Sequence, residues 1–150
     1  MGFLGVEILD QLSKINNIAS QLCECSVTSV SQLPGSGNNR LYRIDTPMGP
    51  FALKEYSPLA NGGHDRLKAE FRGLNFLHKQ DVCNVPKPCS YDAESRFALY
   101  QWIEGDVISK PVRSDIEAAT RFVDLLKSLS AETKGEEIGQ AAEACLSANE

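Results

Sequence analysis

The sequence predicts an α+β fold in which an antiparallel sheet of five strands carries helices before it, within it and after it. Three observations predict it. Apolar residues recur at spacings of three and four up to Leu22, between Leu67 and Leu77, and between Ile116 and Leu129, which puts them on one face of a helix. Between those stretches lie short runs rich in β-branched and aromatic residues, the side chains that fit a pleated surface. Turn residues at Pro34-Gly35, Pro47 to Pro50 and Asp92 to Ser95 join neighbouring runs, and such short links allow antiparallel pairing but no parallel crossover.

Each element has a local cause. The first helix covers Val6 to Leu22, with Ile8, Leu12, Ile15, Ala19 and Leu22 as its apolar face. Val27 to Leu33 alternates and stops at Pro34-Gly35, Leu41 to Ile44 is its partner strand, and Phe51 to Tyr56 is the third strand. Leu59 to Gly63 is a loop, after which Asp65 can cap a helix that runs to about Lys79 and packs on one face of the sheet. Pro86-Lys87-Pro88 ends that connection, and Ser90-Tyr91 and Arg96 to Ile103 form the last two strands. Glu104-Gly105 breaks the pattern. Ser114 is placed to cap a long helix with the stripe Ile116, Ala119, Phe122, Val123, Leu126 and Leu129, and Glu136 to Leu146 is a short closing helix. The chain thus reads as an N-terminal helical segment (1–26), a sheet-bearing lobe (27–105) and a helical region (106–150).

Bulk properties exclude several classes of function. A chain of 150 residues has room for one domain with a core and an appendage. Its net charge is −5 and no Lys/Arg cluster interrupts the acidic balance, so the basic footprint of a nucleic-acid binder is missing. No apolar window is long enough to span a bilayer, and Met1 to Glu7 lacks the basic start of a signal peptide. Five cysteines without a C-x-x-C pair and only two histidines suggest no metal site. Reduced thiols in a cytoplasm are the expectation.

Two charged residues stand on apolar faces. Glu70 lies three residues after Leu67 and one turn before Leu74, in the middle of the second helix's stripe. A carboxylate aimed at a sheet needs a partner, because burying it alone costs several kcal/mol or forces protonation. In Phe51 to Tyr56, alternation puts Ala52, Lys54 and Tyr56 on one face and Phe51, Leu53 and Glu55 on the other. Lys54 is therefore the candidate partner, and Ala52 beside it leaves room for a flat ligand near the backbone. The competing reading has Lys54 reaching solvent at a sheet edge and Glu70 at the rim of the helix face.

The ordered set "PGSGNN", "FALK", the glutamate of "RLKAEFRGLNFL", "VPKP" and "FALYQWIEG" resembles the N-terminal lobe of aminoglycoside-phosphotransferase-like small-molecule kinases, over roughly Val27 to Gly105. The resemblance implies a protein-kinase-like lobe whose turn at Gly35, Ser36, Gly37, Asn38 and Asn39 covers nucleotide phosphates. It departs from G-x-G-x-x-G, with Arg40 in place of the third glycine, and is not a Walker A loop. By the same resemblance Lys54 would hold the α- and β-phosphates, Glu70 would orient Lys54, and Ala52 would line the adenine pocket. Backbone groups at Gln101 and Ile103 would bind adenine, with Tyr100 at the back. The implied cofactor is ATP or GTP with Mg²⁺, and the implied substrate is a small metabolite or antibiotic bearing a hydroxyl.

The catalytic half of that chemistry is absent from the sequence. No H-x-D-x-x-x-x-N loop and no later Mg²⁺ aspartate occur; His64-Asp65 precedes Glu70, lacks the following Asn, and reads as a helix cap. The chain is expected to be a fragment leading into a missing C-terminal lobe, inactive alone, with no catalytic or metal-binding residue of its own. The stripe from Ile116 to Leu129 would then be exposed and could drive self-association. Two other readings stand beside this one: a non-catalytic kinase-like binding or regulatory module, and an interaction domain unrelated to kinases, in which Lys54 and Glu70 lie far apart.

Overall fold

The computed structural model of the chain describes residues 3–34, 39–58, 65–106 and 108–132, with 3–9 and 130–132 as backbone alone. Its elements are α1 (Phe3–Cys23), β1 (Ser29–Gln32), β2 (Arg40–Thr46), β3 (Gly49–Glu55), α2 (Arg66–Lys79), β4 (Pro88–Asp92), β5 (Phe97–Gln101) and α3 (Arg113–Glu132). This is the α+β fold that the sequence predicts. A break between Trp102 and Ile103 separates two compact units.

The first unit is built on one antiparallel five-stranded sheet of order β1-β2-β3-β5-β4. Hairpins join β1 to β2, β2 to β3 and β4 to β5, whereas α2 and β4 intervene between the neighbours β3 and β5. The β2–β3 turn needs Gly49, whose φ is 115°, a backbone that side-chain-bearing residues avoid. Thr46 ties that turn, its hydroxyl accepting from the Met48 amide at 3.1 Å and donating to the Gly49 carbonyl at 2.8 Å.

Each face of the sheet has its own helix. Ile15 and Ala19 of α1 pack with Tyr42, Ile44, Leu53, Phe97 and Leu99. On the other face Leu67 of α2, with Phe71 and Leu74, packs against Tyr56, Ala98, Tyr100 and Ala52. Because both faces are covered along β5, Phe97, Ala98, Leu99 and Tyr100 are all buried, without the alternation of a one-sided strand.

Several boundaries differ from the expectation. Leu12 is 40% exposed and lies off the buried face of α1. Strand β1 is shorter than Val27 to Leu33, since it pairs on one side only and buries little. Strand β4 begins at Pro88, which is buried and pairs with Tyr100 ahead of an irregularity before Ser90. Strand β5 ends at Gln101, whose amide donates to the Lys87 carbonyl at 2.8 Å. Asp65 caps α2 as expected, accepting from the Lys68 amide at 3.4 Å.

The second unit contains α3. Its start precedes Ser114: the Val112 carbonyl accepts the amides of Asp115 and Ile116, and the Asp115 carboxylate accepts from the Val112 amide at 2.8 Å. The Asp115 contact is the returning half of a capping box, made without a side-chain acceptor at the cap, and Val112 takes the cap position assigned to Ser114. Ile116 and Val123 of the α3 stripe are exposed. The proposed loop at 59–63 and closing helix at 136–146 lie outside the described residues.

Candidate functional site

The period-two geometry of β3 sends Leu53 to the α1 side and Ala52 and Lys54 to the α2 side. Helical spacing on α2 turns Glu70, between Leu67 and Leu74, toward the same space. The Lys54 Nζ donates to Glu70 Oε2 at 2.6 Å and to Oε1 at 2.9 Å, with the two side chains 24% and 37% exposed. The expected pair is therefore formed. Both charges keep some contact with water, so neither carries the full penalty of burial.

Behind the pair lies a phenol couple. The Lys54 ammonium is 4.9 Å from the centroid of the Tyr56 ring, within reach of the ring's negative face. The Tyr56 and Tyr100 hydroxyls are 2.7 Å apart and buried. Burial pushes both phenols well above the ordinary tyrosine range, and for Tyr56 the neighbouring Tyr100 and Glu70 push further in the same direction. Both rings stay protonated, one hydroxyl donating to the other.

A cavity of about 470 Å³ opens in front of these groups, lined by Pro34, Asn39, Arg40, Leu41, Ala52, Lys54, Glu70, Leu74, Pro86 and Tyr100. It is of the size that holds a small ligand. Leu41, Ala52, Leu74 and Tyr100 supply apolar walls, and Lys54 supplies a cation at one side. The register explains the grouping, since Leu41 faces Lys54 across β2–β3 and Ala52 faces Tyr100 across β3–β5. Asn39 also accepts from the Ser57 amide at 3.4 Å, tying the end of the Gly-rich stretch to the exit of β3.

The structure thus brings Asn39, Ala52, Lys54, Glu70 and Tyr100 to one cavity. Gly35, Ser36, Gly37 and Asn38 lie outside the described residues, although their flanking residues Pro34 and Asn39 both line the cavity. Gln101 is exposed at the end of β5; its amide is committed to the Lys87 carbonyl, and its side chain accepts from the Lys87 amide at 3.3 Å. A ligand cannot use that amide while the β4–β5 pairing holds. Ile103 belongs to the second unit and is not among the lining residues.

Sequence reasoning missed Leu41, Pro86 and the clamp that holds α2. Leu41 was detectable as the neighbour of Tyr42 on the opposite face; Pro86 carried no such signal. The clamp joins Asp65 to Arg96 of the β4–β5 turn, where Nη1 donates to Asp65 Oδ1 at 2.7 Å and Nη2 to the Ser57 carbonyl at 3.4 Å. Partial burial pushes the Asp65 carboxyl up, but Arg96, the Lys68 amide and the Lys68 charge outweigh it and hold the group below its usual range. Asp65 is therefore occupied as a cap and ion pair. Among the described residues no group of three or more His, Cys, Asp or Glu is placed to hold a metal ion, and no helix is long and apolar enough to cross a membrane.

The model of a family described as "Phosphotransferase enzyme family" matches residues 29–143. No curated protein gives a significant match. Among solved structures, the chain is similar to a protein described as a putative fructosamine-3-kinase from Thermobifida fusca YX-ER1, with a TM-score of 0.57 and 24% identity. The similarity covers 80% of this chain and 40% of that one, so the matched part is less than half of the solved protein's length.

Proposed function

The chain belongs to the phosphotransferase enzyme family, and from that premise we propose that it is the nucleotide-binding lobe of a small-molecule kinase. The fold is that of the N-terminal lobe of a protein-kinase-like phosphotransferase. The observation that carries the reading is the Lys54–Glu70 contact at 2.6 Å on the edge of a cavity with apolar walls from Leu41, Ala52, Leu74 and Tyr100. An interaction domain without kinase ancestry gives no reason for that contact and required the two residues to be far apart.

The residues present fit a nucleotide. Ala52, Leu41, Leu74 and Tyr100 would contact the base, while Lys54, fixed by Glu70, would bind phosphate oxygens. ATP or GTP would supply the phosphoryl group to be transferred. Asn39 and the stretch Gly35 to Asn38 would close over the phosphates, and the backbone at Gln101 would border the base. The described residues offer no carboxylate cluster for Mg²⁺.

A residue that accepts the proton of a substrate hydroxyl is missing from the sequence in the H-x-D-x-x-x-x-N form. The chain by itself would bind nucleotide and transfer nothing. The acceptor would be a hydroxyl of a small metabolite or antibiotic, bound by parts of the protein beyond this chain, in a cytoplasmic setting. Titration with a fluorescent ATP analogue tests the reading: saturable binding that is displaced by ATP and lost in Lys54→Ala supports it. Binding untouched by Lys54→Ala, or absent in the folded wild-type chain, favours the non-catalytic module.

A further inference from the structure

The end of α1 brings two thiols together. Cys23 is the last residue of the helix, Glu24 follows at φ 53°, and Cys25 folds back so that its Sγ lies 3.1 Å from that of Cys23. A left-handed residue at this place is a common way for a helix to end, and here it sets the sulfurs side by side. The Cys25 thiol donates to the Cys23 sulfur, while the Cys23 thiol faces the carbonyls of Cys25 at 3.4 Å and Ser20 at 3.8 Å. Both cysteines are partly exposed, which gives a small reagent access. Leu22 and Cys23 pack on the α1 core, and the Ser90 hydroxyl donates to the Leu22 carbonyl at 2.6 Å, so the helix end is held in place from behind.

We propose that Cys23 and Cys25 form a dithiol site that reacts with low-molecular-weight disulfides and closes to an intramolecular disulfide. One cysteine, as thiolate, attacks a sulfur of RS–SR, forming a protein–SR bond and releasing RS⁻. The second, deprotonated in turn, attacks the protein sulfur of that mixed disulfide, forming the Cys23–Cys25 bond and releasing the second RS⁻. The two protons lost by the protein end on the two released thiols; the protein is oxidised by two electrons and the reagent reduced by two. A disulfide holds its sulfurs at about 2.05 Å, so the pair has roughly 1 Å left to close. Because the second thiol already touches the first, the mixed disulfide is short-lived. The site lies at the α1 end and none of its residues lines the Lys54 cavity, so it stands independently of the nucleotide reading.

The test uses the folded chain equilibrated with glutathione disulfide and glutathione at graded ratios, quenched with iodoacetamide and digested with trypsin. The tryptic peptide 15–40 contains Cys23 and Cys25 and no other cysteine. The expected product is that peptide short of two hydrogens, unalkylated, and restored by reductant. It forms at a lower ratio in the folded chain than in urea, and Cys25→Ser leaves Cys23 carrying glutathione or alkyl. A stable glutathione adduct on the wild-type peptide, a cross-link to another cysteine, persistent double alkylation, or closure at the same ratio in urea overturns the proposal.

Discussion

Replacing Glu70 by glutamine removes one charge while keeping the shape of the side chain, so it isolates what the carboxylate does for Lys54. Two unit charges at the observed 2.6 Å attract by about 1.6 kcal/mol even when fully screened by water. Ordering and dehydrating both side chains offset much of that, and with Glu70 37% exposed the net contribution to folding is about 0.5–1 kcal/mol. The effect on nucleotide binding is separate. Without the carboxylate, a bound phosphate must immobilise the Lys54 side chain itself, at a cost of about 0.5–1.5 kcal/mol, or roughly two- to tenfold in affinity. Lys54→Ala deletes the charged donor, worth about 1.5–3 kcal/mol, or roughly ten- to a hundredfold. The assay is a double-mutant cycle on Kd for a fluorescent ATP analogue, with thermal melts confirming that each variant folds. The penalty of Glu70→Gln should vanish in the Lys54→Ala background. An equal penalty in both backgrounds, or no penalty from either single substitution, refutes the reasoning that Glu70 acts through Lys54.

The clamp at α2 gives a pH prediction. Asp65 is held below the ordinary carboxylate range by Arg96 and Lys68, so its stabilising contribution is present above about pH 4 and is lost as pH falls through the depressed folded value; in an acid series of melts, Asp65→Asn should lose less stability than the wild type over that window. The buried phenols give the opposite sign: with the Tyr56 and Tyr100 ionisations raised, their contribution is complete below about pH 10 and fades as pH rises, and ultraviolet titration should show tyrosinate from these two only as the chain unfolds. Tyr56→Phe leaves the buried Tyr100 hydroxyl without its partner at 2.7 Å and should destabilise by about 1–3 kcal/mol in urea titration; an unchanged midpoint would show that this hydroxyl pair contributes nothing net. Leu53 is fully buried where α1 meets the sheet, so Leu53→Ala should cost about 2–5 kcal/mol, whereas Leu12→Ala on the exposed flank of α1 should stay within about 0.5 kcal/mol by the same measurement.

The sequence alone determined which faces carry what. Alternation through Phe51 to Tyr56 separated Lys54 from Leu53, and the helical stripe through Leu67 and Leu74 carried Glu70 toward the sheet, because the repeats of strand and helix are local properties of the backbone. The Asp65 cap was legible for the same reason: it concerns an amide only three residues away. Tertiary structure decided what depends on distant segments meeting at once. That β3 pairs with β5 and not with β4, that Arg96 reaches back to Asp65, and that the Gln101 amide is taken by Lys87 all depend on contacts far apart in the chain. The same holds for burial. No local pattern tells that the sheet buries Ile15 of α1 but leaves Leu12 40% exposed, or that β5 is covered on both sides. A periodicity names a face, but how much of that face is buried is set by the area of the partner that lands on it.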